Sequence, residues 1–196
     1  MVRKYCVAGH TFAVYGNELC NEVLKIDGFV PFAASDDAQV SFSFHFSDSV
    51  PADFCTQYKF EYEDVVGEFG VWELGFILKL KPAMEEPLFL WCNEGGSDVL
   101  LYGNFSLRLF RFALWVGFGL MTYKKGTIAI HSSCIVADGS AVIFLGESGT
   151  GKSTHTRLWR ECIPGAVLLN DDSPVVRVHE DGSVLVYGSP WSGKTP

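Results

Sequence analysis

The stretch that decides how this chain folds is SAVIFLGESGTGKSTHTRLW, residues Ser140 to Trp159. Its first six residues, Ser140 to Leu145, form an apolar run between Asp138-Gly139 and a glycine, which predicts a short buried strand. Gly146, Gly149 and Gly151 follow, and then Lys152 and Ser153, in the order G-x-x-x-x-G-K-S/T. Glycines let successive backbone N–H groups converge on phosphate oxygens, and a helix starting there adds the positive end of its dipole. The cradle so defined comprises Gly146, Glu147, Ser148, Gly149, Thr150, Gly151, Lys152, Ser153 and Thr154. Lys152 is placed to reach the β- and γ-phosphates of ATP, and the Ser153 hydroxyl to ligate Mg2+.

Downstream, a helix runs to about Cys162 and stops at Pro164-Gly165. AVLLNDDSPVVRV, residues 166–178, supplies another strand, with Asp171 and Asp172 just beyond its apolar part, where strand ends deliver carboxylates to a nucleotide. Adjacent residues on an extended segment point to opposite sides. Both carboxylates serve one site only if the backbone bends between Asn170 and Pro174, one then on magnesium and one as base for an attacking hydroxyl. The alternative is a solvated acidic turn before Pro174. Asp181-Gly182 predicts a hairpin in VVRVHEDGSVLVYG, and Asp138-Gly139 predicts two strands within TIAIHSSCIVADGSAVIFL. His131 then lies on the strand beside the loop, where a lone histidine is ordinarily a satisfied core residue.

The first hundred residues carry a different pattern. In QVSFSFHFSD, Val40, Phe42, Phe44 and Phe46 alternate with Ser41, Ser43, His45 and Ser47, which predicts a half-buried strand with His45 exposed. Similar segments follow, with a hairpin around Glu94-Gly95-Gly96, so antiparallel β-structure is predicted for residues 1–104. FSLRLFRFALWVGFGLMTYKKG, residues 105–126, reads as a connecting helix ended by Lys124, Lys125 and Gly126. The fold class expected is α/β (α+β): a β-rich region 1–104, the helix 105–126, and a phosphate-loop core 127–196. That core is expected to be incomplete at Pro196, because the apolar strand SVLVYG still needs neighbours, and association with a partner or with itself, as a homo-oligomer, is expected for the same reason.

Composition narrows the partners. The 196 residues are 48% hydrophobic and 14% aromatic, which excludes disorder. The net charge of −8, with no basic run longer than Lys124-Lys125, disfavours a nucleic-acid partner. The six cysteines form no C-x-x-C pair and read as reduced thiols, and Cys134 is not expected to act as a nucleophile. No signal peptide is evident, and the most apolar run, Phe112 to Met121, is about half a bilayer span, so no membrane partner and a cytoplasmic location are expected.

From about residue 120 to 196, IHSSCIVADGSAVIFLGESGTGKSTHTRLW, LLNDDSPVVRV and YGSPWSGKTP together resemble the catalytic domain of the HPr kinase/phosphorylase family. That family shares its core with ATP-dependent phosphoenolpyruvate carboxykinases. The likeness rests on His131, the GESGTGKST loop and an aspartate pair beginning nineteen residues after Lys152. It implies a kinase that uses Mg-ATP to phosphorylate a hydroxyl of a protein, a peptide or a small molecule. Lys152 and the loop amides would hold the phosphates, Ser153 and Asp172 the metal; Asp171 would act as base, helped by His131. Lys194 would lie near the phosphates. Thr154 stands where the family has a glutamate, and residues 1–104 do not match the regulatory domain of the HPr kinases. A non-catalytic ATP-sensing module and a carboxykinase-like enzyme are the other readings, the last without a visible arginine cluster for oxaloacetate before Pro196.

Overall fold

The computed structural model describes residues 2–16, 27–103 and 106–192. The chain is mixed α/β with strands predominating, 46% strand against 20% helix. Its contacts divide it into two units: Met1–Tyr5, Thr11–Ile26 and Ala34–Met121 form the first, and Cys6–His10, Asp27–Ala33 and Thr122–Pro196 the second. Two short N-terminal segments therefore group with the C-terminal residues, which the sequence division at residues 104 and 126 does not foresee.

The first unit is built on an eight-stranded sheet. Strands β1 (Val2–Val7), β2 (His10–Tyr15), β3 (Phe42–Phe46), β4 (Cys55–Tyr62), β5 (Val65–Trp72), β6 (Gly75–Pro82), β7 (Leu88–Asn93) and β8 (Asp98–Gly103) lie in the order β1-β2-β3-β8-β7-β6-β5-β4. Strands β4 to β8 form the expected antiparallel meander, including the β7–β8 hairpin. The expectation of a wholly antiparallel arrangement is corrected at β3, which runs parallel to both β2 and β8. A tight turn forces neighbours to reverse, whereas the long connection from Tyr15 to Phe42 leaves the direction of β3 free.

The alternation in β3 is seen directly: Phe42 and Phe44 are buried, while Ser43 and His45 are only partly covered. His45 is stacked on Tyr15 and lies 3.2 Å from the Asp98 carboxylate. Helix α1 (Leu107–Thr122) buries Leu109, Phe110, Ala113, Leu114 and Phe118, and Phe12 meets Phe42, Phe44 and Phe118 ring to ring. The helix read as a connection is thus part of the first unit's core. Gly117 explains the close approach, since a Cβ there would stand 2.5 Å from the Phe44 ring. A 3-10 turn, Tyr123–Lys125, and Gly126 at φ +69° end the helix where Lys124, Lys125 and Gly126 predict. Among the described residues no helix is long and apolar enough to cross a membrane.

In the second unit, β9 (Thr127–Ala129), β10 (Ser132–Ala137), β11 (Ser140–Leu145), β12 (Val167–Asn170), β13 (Val175–Val178) and β14 (Val184–Tyr187) make two three-stranded sheets, β11-β10-β12 and β14-β13-β9. Every pairing is antiparallel. Both predicted hairpins form, one turning at Asp138 and Gly139, with φ of +49° and +72°, the other at Asp181-Gly182. Helix α2 (Lys152–Cys162) follows β11 and packs on that sheet. The expectation that β11 is buried is corrected: it is an edge strand, with Leu145 69% exposed. An apolar run specifies a strand but not its place in the sheet.

His10, in this unit, is 4% exposed, and its Nε2 lies 2.8 Å from Thr127 Oγ1. Burial first, and then the positive charges of Arg177 and Lys125, push its pKa from 6.5 down to about 4. The folded state keeps His10 neutral where the unfolded chain binds a proton. Stability from this residue is therefore full above pH 6.5 and is lost as pH falls from 6.5 to about 4, by up to ~3 kcal/mol. Urea midpoints measured across that window are expected to fall with pH in the wild type and to be flatter in His10→Gln. Equal slopes would exclude His10 as the source.

Candidate functional site

Strand β10 is the centre of the sheet, and β11 and β12 each run antiparallel to it. They therefore run in the same direction, and both end where β10 begins. The glycine-rich loop leaves β11 at that end, the two aspartates leave β12 there, and His131 immediately precedes β10. Backbone pairing fixes the juxtaposition: Ser132 is registered with Leu145, and the Ser132 N–H donates to the Asp172 carbonyl at 2.8 Å.

The loop has the backbone its glycines allow. Gly149 and Gly151 sit at φ +81° and +93°, and Gly151 caps α2 in the left-handed region. The helix has neither a side-chain cap nor an acidic residue in its first turn. Its leading N–H groups thus have no side chain of their own to satisfy them, the condition under which an anion is accepted. Lys152 Nζ donates to the Gly146 and Glu147 carbonyls at 2.7 and 2.9 Å, and Thr150 Oγ1 donates to Glu147 O at 2.7 Å. The ammonium therefore rests on the rim of its own loop. Glu147, Ser148, Ser153 and Thr154 are exposed.

The chain does bend after β12. Asn170, 3% exposed, accepts the N–H groups of Asp172 and Ser173 on its Oδ1 at 2.9 and 2.8 Å, an Asx turn that lifts the following residues out of the strand. Asp171 Oδ1 accepts the Ser133 hydroxyl at 2.5 Å. Asp172 Oδ1 lies 3.5 Å from His131 Nε2, an ion-pair distance when the imidazole is protonated. The bend between Asn170 and Pro174 is thereby present, with Asp171 on Ser133 and Asp172 beside His131. His131 occupies a bend before β10, with its side chain 53% exposed, which corrects its placement on the strand and its reading as a core residue. Cys134 is buried, and burial raises its thiol pKa to about 11, away from nucleophilic use.

No group of three or more His, Cys, Asp or Glu that could hold a metal ion occurs among the described residues. Magnesium is commonly held by one or two carboxylates together with substrate phosphates, and Ser153 with one aspartate is a donor set of that kind. Three contributors escape sequence reading. Ser133 looks like an ordinary strand residue; Ser189, whose hydroxyl donates to the Ser173 carbonyl at 2.6 Å, lies far from the acids in sequence; and Asn170 carries only the weak signal that asparagine at a strand end favours an Asx turn. Lys194 lies outside the described residues. No protein-family model matches the chain, and no curated protein matches it either.

Proposed function

We propose that the protein is a Mg-ATP-binding phosphotransferase of the HPr-kinase-like type, transferring the γ-phosphate to a hydroxyl of a protein, peptide or small molecule. The observation that carries this reading is the convergence of the phosphate loop, both aspartates and His131 on one end of the β11-β10-β12 sheet. A hydrolytic or kinase site needs those groups within reach of one another, and chain order alone does not bring them together.

In this mechanism Lys152 exchanges the Gly146 and Glu147 carbonyls for β- and γ-phosphate oxygens, while the N–H groups at the start of α2 hold the phosphate chain. Ser153 and Asp172 would hold magnesium, which when bound would neutralise charge on the phosphates. Asp171, oriented by Ser133, takes the proton as the acceptor oxygen bonds to the γ-phosphorus and the bond to the β-phosphate oxygen breaks, leaving ADP. His131, expected to help Asp171, lies 3.5 Å from the Asp172 carboxylate and would orient that residue instead. Such an enzyme would work in the cytoplasm, where its nucleotide is. The test is magnesium-dependent ATP binding by calorimetry, followed by ADP formation with a panel of hydroxyl acceptors. Binding with acceptor-dependent ADP supports the kinase; binding without turnover leaves a nucleotide sensor; dependence on oxaloacetate identifies a carboxykinase; no binding overturns the nucleotide site.

A further inference from the structure

We infer that Ser189, together with Asn170, is a positioning residue that holds the Asp171-Asp172 turn in its metal-competent geometry; the inference rests on the reading of that site as one for Mg-ATP. Ser189 follows β14 in the segment Gly188-Ser189-Pro190-Trp191 and is 3% exposed. Asn170 Nδ2 donates to Ser189 O at 3.2 Å and to Ser189 Oγ at 3.3 Å. Ser189 Oγ in turn donates to the Ser173 carbonyl at 2.6 Å and accepts the Trp191 N–H at 3.3 Å. With both lone pairs of Asn170 Oδ1 taken by the N–H groups of Asp172 and Ser173, the carboxamide can sit only one way round.

The consequence is directional. Asn170 bonds the backbone that carries Asp172, and Ser189 bonds the carbonyl of Ser173, so the acid turn is gripped on both sides of Asp172 by groups that are 3 to 6% exposed. Low local dielectric makes such a network strong when complete and costly when one member is missing. The grip is itself seated. Trp191 meets Phe29 edge-on at 5.8 Å, and a Cβ on Gly28 would lie 2.9 Å from the Pro190 carbonyl, so the 3-10 segment Asp27–Phe32 packs closely on the Ser189 segment. Through these bonds the effect of Ser189 and Asn170 on chemistry would pass by way of the aspartates. Groups of this kind behind a metal ligand typically change metal affinity by about 10- to 100-fold.

Calorimetric titration of ATP, once in EDTA and once in excess Mg2+, separates the loop from the acid turn. In Ser189→Ala the EDTA affinity is expected within about twofold of wild type, while the gain in affinity from magnesium falls about tenfold, and Ser189→Thr, which keeps the hydroxyl, recovers it. Should Ser189→Ala not fold by circular dichroism, Ser189→Cys serves the same comparison, nearly isosteric and with only a weak thiol donor and acceptor in place of the hydroxyl. A folded variant with the wild-type magnesium gain overturns the inference, as does an equal loss in EDTA and in magnesium, which marks general destabilisation. Wild-type protein that binds ATP in neither condition would instead refute the nucleotide site itself, and the inference with it.

Discussion

Replacing Lys152 by alanine is expected to lower Mg-ATP affinity by a factor of roughly 30 to 1,000, corresponding to about 2–4 kcal/mol for a charge-assisted contact to desolvated phosphates. The same ammonium donates to the Gly146 and Glu147 carbonyls at the rim of an exposed loop. Its removal returns two accessible carbonyls to water, so folding stability should change by no more than ~0.5 kcal/mol. Binding and stability therefore separate cleanly. Calorimetry with magnesium and a urea titration of the same variant check both halves. Wild-type affinity in Lys152→Ala would exclude the phosphate loop as the nucleotide site.

The second large effect concerns the two aspartates. Asp171→Asn is expected to reduce kcat by about 100- to 10,000-fold, the range for loss of a general base, with Mg-ATP affinity nearly unchanged. The substitution is close to isosteric, and an asparagine Oδ1 can still accept the Ser133 hydroxyl that Asp171 accepts at 2.5 Å. The turn should consequently keep its shape, which makes the variant a test of proton transfer and not of folding. Asp172→Asn, on the His131 side, should instead weaken the magnesium dependence of ATP binding. Single-turnover ADP formation and magnesium titrations distinguish the two. The opposite pattern would exchange the roles of Asp171 and Asp172, and unchanged behaviour in both would make the pair a solvated turn.

Much of the site was legible because its signals are local. Gly149 and Gly151 adopt positive φ within three residues of each other, and the strand, loop and helix around them follow one another without a break. The same holds for the Asp138-Gly139 and Asp181-Gly182 hairpins, where the turn residues themselves set the register. Asp171 and Asp172 stood out as adjacent carboxylates after an apolar run, but whether they diverge or converge depended on Asn170, whose two acceptor bonds make the bend. His131 was legible as a candidate and misplaced as a strand residue, since the sequence TIAIHSSCIV has no glycine or proline to mark the break between β9 and β10.

By itself, then, the sequence determined what residues a few positions apart impose on one another: the alternating faces of β3, the end of α1 at Gly126, the glycine-rich loop and the helix it opens. Tertiary structure alone decided that β3 runs parallel to its neighbours, that α1 belongs to the first unit's core, and that β11 is an edge. It also decided that Cys6–His10 and Asp27–Ala33 group with the C-terminal residues, and that Ser133 and Ser189 reach the acid turn from 38 and 16 residues away in the chain. The physical reason is common to all of these. A backbone turn or an alternating face is specified by torsions and side chains within one segment, whereas a hydrogen-bond partner, a strand neighbour or a covering layer is chosen by which surfaces meet when the chain folds.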